Sequence, residues 1–221
     1  MKGKRKMKIF LIVIVIIIAC CAAFYKPVIN YLVGQSANPT GFIGSLMTRI
    51  WSVSFQDQNQ WGLSLLNIAD EGVILSVGFG SGSGIKQIKE QGAKNTVYGI
   101  DISEEAVNMA ASLNQTYIDA GEVILSIGDV AYLEFDNGFF DVVIAGQTHI
   151  YWSELERGLS ECLRVLAENG TLLITCEIDK IEYHLPEYRN SDDFVKLLYT
   201  VGFAEVDVRG RGNYIAFICR K

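Results

Sequence analysis

Residues 73–84 read Val-Ile-Leu-Ser-Val-Gly-Phe-Gly-Ser-Gly-Ser-Gly, an apolar run of β-forming residues that breaks into alternating glycines. Ile85-Lys86-Gln87-Ile88-Lys89 then opens an amphipathic helical pattern. A buried strand, a loop bare of side chains and a helix start therefore follow one another. Without Cβ atoms the loop can turn sharply and let a ligand approach the main chain. The helix behind it presents free N–H groups at its positive end. Such a stretch cradles a nucleotide-like molecule.

Spacing decides which one. A dinucleotide fingerprint needs G-x-G-x-x-G, and every frame fails, because the last position falls on Ser83, Ile85 or Gln87. The register kept is G-x-G-x-G, followed by Val97-Tyr98-Gly99-Ile100-Asp101 with the acid 21 positions after Gly80. From about residue 38 to the C-terminus the chain resembles the class I S-adenosylmethionine-dependent methyltransferases, and within them the type 11 group. The resemblance implies S-adenosylmethionine as cofactor, held by Gly78, Phe79, Gly80 and Gly82, with Asp101 and Ile102 at the ribose, Asp129 and Val130 at the adenine, and Gly146 at the end of a later strand. One departure is Ser76, because the family usually carries an acid there, near the cofactor's amino-acid end.

Charge separates an appendage from the body. Residues 1–26 hold six of the 19 basic residues and none of the 25 acidic ones, so the remainder carries 13 basic against 25 acidic, a net −12. Such a surface repels phosphates and argues against a nucleic-acid substrate. Residues 9–25 are seventeen positions without a charge, about 25 Å as a helix and barely enough to cross a bilayer. An uncleaved anchor, a secretory signal and a lipoprotein signal ending at Ala19-Cys20 all fit this segment. The expected organisation is an anchor over 1–25, a linker over 26–37, a helical cap over 38–71 and a methyltransferase domain over 72–221. The basic N-terminus favours the cytoplasm, yet the cofactor is cytosolic, and the domain is placed on the cytoplasmic side of the cell membrane. Cys162, Cys176 and Cys219 fall inside predicted elements with no metal spacing and read as small buried hydrophobes.

Helical spacing of Phe42, Ile43, Leu46, Met47, Ile50 and Trp51, then of Trp61, Leu65 and Ile68, predicts helices that either pack on the sheet or cap the pocket. Strands are predicted over 73–77, 96–100, 123–127, 140–145, 171–175, 204–208 and 214–219. Ser103 caps a helix with Val107, Ala110, Ala111, Leu113 and Tyr117 inward; helices span 153–166 and 191–200, and 180–190 reads as a loop. This order gives an α/β, Rossmann-like, mostly parallel seven-stranded sheet with an antiparallel strand and helices on both faces, plus the N-terminal membrane helix.

In such a sheet ligands bind beyond the carboxyl ends of the strands. The glycines, Asp101, Asp129 and the run Gln147-Thr148-His149 all fall there. Asp101 can accept from two ribose hydroxyls, or be a solvated turn residue; Asp129 can meet the adenine amino group, or simply cap a helix. His149, with Tyr151 beside it, is the candidate for proton transfer, or else a hydrogen-bonding part of the pocket wall. The activity expected is methyl transfer to a small or lipophilic acceptor. A non-catalytic cofactor-binding protein at the membrane and a nucleotide-dependent oxidoreductase are the alternatives.

Overall fold

The computed structural model describes residues 55–68, 71–91 and 94–221. The expected anchor, the linker and the helix carrying Phe42 to Trp51 lie outside these residues. Among the described residues no helix is long and apolar enough to cross a membrane.

Seven strands form one sheet: β1 (Val73–Val77), β2 (Thr96–Asp101), β3 (Val123–Ile127), β4 (Phe140–Gly146), β5 (Leu166–Glu177), β6 (Glu205–Arg211) and β7 (Tyr214–Arg220). Their spatial order is β3-β2-β1-β4-β5-β7-β6. The first five pair in parallel, and β7 runs antiparallel to both neighbours. Parallel strands covered on both faces need nearly continuous apolar runs, which is what 73–77 and 140–146 supply. Seven α-helices are described: α1 (Gln56–Ser64), α2 (Ser83–Glu90), α3 (Glu104–Leu113), α4 (Gln115–Asp119), α5 (Leu155–Val165), α6 (Ile178–His184) and α7 (Ser191–Val201). On one face, Leu63 of α1 and Ile85 and Ile88 of α2 bury against Ile74, Val97 and Val142. On the other, Leu159 and Val165 of α5 and Phe194 and Leu198 of α7 bury against Leu75, Val143, Leu172 and Phe217. Each such side chain contributes roughly 1.5–3 kcal/mol of transfer free energy.

Four local expectations are corrected. The helix after Ser103 breaks at Asn114, whose amide donates to Ala110 O at 2.9 Å and to Gly82 O at 3.1 Å. The inward residues of α3 are Ala106 and Ala110, and Leu113 is exposed. Residues 180–190 are not a loop: α6 buries Ile181, and Pro186 opens a 3₁₀ turn, a position where no N–H is needed. The cap of α7 is Asn190, which accepts from Asp192 N. β5 begins at Leu166 opposite Phe140, and its register shifts before Thr171 meets Val142. The three described cysteines are free and buried, and burial pushes the Cys219 thiol up to about 12.

Arg164 pins the connection from β3 to β4. Its guanidinium donates to Leu133 O at 2.8 Å and Phe135 O at 2.7 Å and grips Glu161 through two 2.8 Å bonds. Glu161 accepts in turn from Leu133 N at 3.0 Å. This corner fixes the segment that follows Asp129.

The glycine loop is packed unevenly. A Cβ on Gly82 (φ +77°) would lie 2.6 Å from Ala110 Cβ, whereas Gly80 (φ +55°) has nothing within 4 Å. Gly82→Ala should therefore cost about 2–3 kcal/mol of stability, and Gly80→Ala about 1 kcal/mol for the backbone alone. Urea unfolding of the two variants checks the ranking.

Candidate functional site

The strand order reverses between β1 and β4, and the crevice this leaves is where open α/β sheets take ligands. A cavity of about 730 Å³ lies there, within the ~300–1,000 Å³ range of small-molecule sites. The glycine loop, Asp101, Gly128 to Val130 and Gly146 to Thr148 form its inner wall. Phe55, which caps the start of α1, Asn59 from α1 and Asp179, Lys180, Tyr183 and His184 from α6 form its outer part.

The loop is drawn against its neighbours by backbone. Gly78 N donates to Ile100 O at 2.8 Å, and a Cβ on Gly78 (φ +62°) would fall 2.1 Å from Thr148 Oγ1. Only glycine lets the chain pass there. The Phe79 ring packs onto β2 beside Gly99 and Leu125, so this residue helps fix the loop while also bordering the cavity. Gly80 leaves its backbone open toward the space a ligand would fill.

Asp101 is buried at the end of β2. One oxygen accepts from Gly80 N at 2.9 Å and the other from Ser103 N at 3.0 Å. Burial nevertheless outweighs these bonds and raises its pKa. A carboxylate offers about four acceptor directions, so capacity is left for hydroxyls from the cavity. Asp129 accepts from Ala131 N at 2.9 Å as cap of a 3₁₀ turn, and it also lines the cavity. Its other oxygen makes no bond among the described residues. Ile102, about half exposed, and buried Val130 give apolar surface beside the two acids.

His149 is turned into the core, away from the cavity. It is 1% exposed, packs against Trp152 and Phe194 rather than bordering the cavity, and neither ring nitrogen has a partner among the described residues. Burial pushes its pKa down to about 3. This corrects both expectations for His149, a base in the pocket and a hydrogen-bonding part of its wall. The 3₁₀ turn His149–Tyr151 carries Tyr151 to the cavity and turns His149 into the core. A different histidine borders the cavity: His184, whose ring stands 4.8 Å from that of Tyr151 and 4.8 Å from that of Tyr183. Burial, then the charge of Lys180, lowers its pKa, so the ring is neutral at pH 7.

A second group was marked in the sequence only by the strand-end position of Gln147. Gln147 holds φ +57° at the end of β4, and its Oε1 accepts from Glu177 N at 2.8 Å and from buried Gln58 Nε2 at 3.2 Å. Its Nε2 donates to Glu177 at 3.2 Å, and Gln58 also reaches Thr175 Oγ1 at 3.3 Å. The network ties α1 to the ends of β4 and β5. Gln58 itself lies in the amide-rich run Gln56 to Gln60.

Residues 75–174 match the family model of the methyltransferase domain, type 11 group. That segment reads as a methyltransferase domain. Similar folds occur in an S-adenosylmethionine-dependent methyltransferase of Methanococcus maripaludis (14% identity, 80% of this chain and 92% of that one, TM-score 0.66). They occur also in phosphoethanolamine N-methyltransferase 2 of Haemonchus contortus in complex with S-adenosylmethionine (18% identity, 75% and 52%, TM-score 0.64). The cyclase SpnF is as close (18% identity, 75% and 80%, TM-score 0.65), so the fold by itself does not specify the reaction. No curated protein matches the sequence.

The residues present fit the cofactor, S-adenosylmethionine: an open glycine backbone, a buried acid with spare acceptor capacity, and apolar surface beside a second acid. Asp101 would hold the ribose, and Ile102, Val130 and Asp129 the adenine. Asp101→Ala should weaken binding of S-adenosylhomocysteine by about 1–3 kcal/mol, with an unchanged circular dichroism spectrum. An unaltered dissociation constant would make Asp101 a purely structural tie between loop and strand.

Proposed function

We propose that the protein transfers the methyl group of S-adenosylmethionine to a small or lipophilic acceptor that enters between α1 and α6. One observation carries this reading: the cavity runs from the polar strand ends, at Gly80 and Asp101, to an aromatic outer part made by Phe55, Tyr151, Trp152, Tyr183 and His184. The bound cofactor supplies an electrophilic methyl group on a sulfonium. The chain's own part is to hold the acceptor in line with it and to exclude water, which is where most of the rate in such a transfer originates. His184 and Tyr151 are the groups placed to take a proton from an attacking oxygen or nitrogen. The phosphoethanolamine enzyme named above has the same fold, which is consistent with a small acceptor but does not name one.

Membrane extracts incubated with methyl-labelled cofactor and the full chain should yield a labelled product of low molecular weight or extractable into organic solvent. Binding of S-adenosylhomocysteine with no labelled product would favour the non-catalytic reading that Ser76 suggests.

With an acceptor in hand, His184→Gln should lower turnover by about 10²-fold if it is the base, and His149→Leu should leave it unchanged. The base must be neutral, so the rate should hold above pH 6.5, the ordinary histidine value, and fall only as pH drops through the lowered pKa of His184. Lys180, Asp179, Tyr151 and Tyr183 are the other ionisable groups at this end. A pH profile identical in His184→Gln and wild type would remove the assignment.

The same reading places residues 9–25 in the membrane uncleaved and residues 38–221 on the cytosolic side, where the cofactor and three free thiols belong. Protease added outside intact cells should spare the domain. Digestion, or a mature chain beginning at a lipid-modified Cys20, would overturn that topology.

A further inference from the structure

β6 ends the sheet, and no described strand pairs with its open side. Its residues read Glu205-Val206-Asp207-Val208-Arg209-Gly210-Arg211, and all but Val206 are exposed. Hydrogen bonding along an antiparallel pair alternates from residue to residue. The turn Gly212-Asn213 closes on the pair Arg211 and Tyr214, and at the far end Ala204 N donates at 2.8 Å to Arg220 O, the partner of Glu205. The odd-numbered residues of β6 therefore spend their N–H and C=O groups on β7. Val206, Val208 and Gly210 turn theirs to the open edge, a template for one more strand.

Side chains alternate too, so Glu205, Asp207, Arg209 and Arg211 share one face. That face carries two acids followed by two arginines, and reversed it is its own complement. Let β6 pair antiparallel with β6 of a second copy, so that Val208 meets Val208 at a two-fold axis. Glu205 then faces Arg211 and Asp207 faces Arg209, and the open groups of Val206, Val208 and Gly210 come opposite one another as a ladder requires. The adjacent registers fail. Centred on residue 207 the pairing opposes two aspartates, and centred on residue 209 it opposes two arginines. Opposite charges across a strand pair stabilise it and like charges destabilise it, so one register is selected. Val208, 36% exposed, supplies an apolar contact at its centre.

We propose that this edge is the contact surface between two copies of the chain, joined through β6 so that two seven-stranded sheets become one. The contact is isologous, with the same strand contributed by both copies. Within one chain Asp207 meets Arg209 at 2.7 Å, Glu205 meets Arg220 at 3.6 Å, and Arg211 pairs with Asp57. The four side chains of the edge are nevertheless 47% to 75% exposed, which leaves each open to a partner across the axis. Asp57 belongs to α1, so the contact reaches the helix that borders the outer part of the cavity. Two strands make a small interface, and the dimer is therefore concentration-dependent.

Light scattering of the full chain in detergent, over a dilution series, tests this. The wild-type protein mass should pass from two chains to one on dilution. Asp207→Arg and Arg209→Asp each set like charges across the axis and should raise the dissociation constant about tenfold. The double variant Asp207→Arg/Arg209→Asp restores complementary pairs and should dimerise as the wild type does. A single-chain mass at every concentration overturns the proposal. So does a dimer indifferent to both single changes, which would place the contact on another surface such as β3 or residues 9–25. Should a charge variant misfold, cysteine cross-linking decides. Bonded partners in such a ladder have Cα atoms about 5.5 Å apart, within disulfide range. Val208→Cys should thus oxidise to a covalent dimer beyond the wild-type level, and Arg209→Cys should not. Cross-linking of both variants alike, or of neither, overturns the proposal as well.

Discussion

The bond from Gly80 N–H to the Asp101 carboxylate joins the two features on which the site depends. It holds a loop without side chains against the end of β2, and it does so at 2.9 Å with an acid that is 7% exposed. Burying a carboxylate is costly unless its lone pairs are met, and here Gly80 and Ser103 each meet one. The result is preorganisation: the glycine backbone and the acid already face the cavity in fixed relation, so a bound nucleoside orders little and adds its own hydrogen bonds to a site already built.

Around that bond the architecture separates two tasks. The ends of β1, β2, β3 and β4 provide the inner wall, and α1 and α6 provide the outer part. Gln147 connects the halves. Its positive φ is tolerated because its side chain and backbone are held by Gln58, Thr175 and Glu177, and strain of this kind persists where surrounding contacts over-determine the conformation. The polar network thereby sets the distance between the inner wall and the outer part of the cavity.

Much of the fold was legible because period and punctuation agree. The apolar runs at 73–77 and 140–146, each followed by glycine, mark central parallel strands, and Ser103 before two glutamates marks the start of α3. Elements fixed by tertiary contact were less visible. Pro186 argued for a loop, but α6 forms ahead of it because Ile181 has a core to enter. Asn114 ended α3 through bonds to Ala110 and Gly82 that no local pattern announces. At the site, the glycines and the strand-end acids lie on the inner wall of the cavity. Sequence position brought His149 and Tyr151 together, and the 3₁₀ turn then sent them to opposite sides. His184, 35 positions from His149, reaches the cavity only through a helix that the sequence reading did not anticipate. Gln147 was marked only by its strand-end position, and its bonds to Gln58 and Glu177 arise from the meeting of α1 with β4 and β5.

The central claim is that the glycine loop and Asp101 build a site for S-adenosylmethionine and not for a dinucleotide. Calorimetric titration of the full wild-type chain, with S-adenosylhomocysteine and separately with NADH, tests it most directly. Saturable one-site binding of S-adenosylhomocysteine with no heat from NADH is the result required. Saturable binding of NADH with none of S-adenosylhomocysteine would contradict the account.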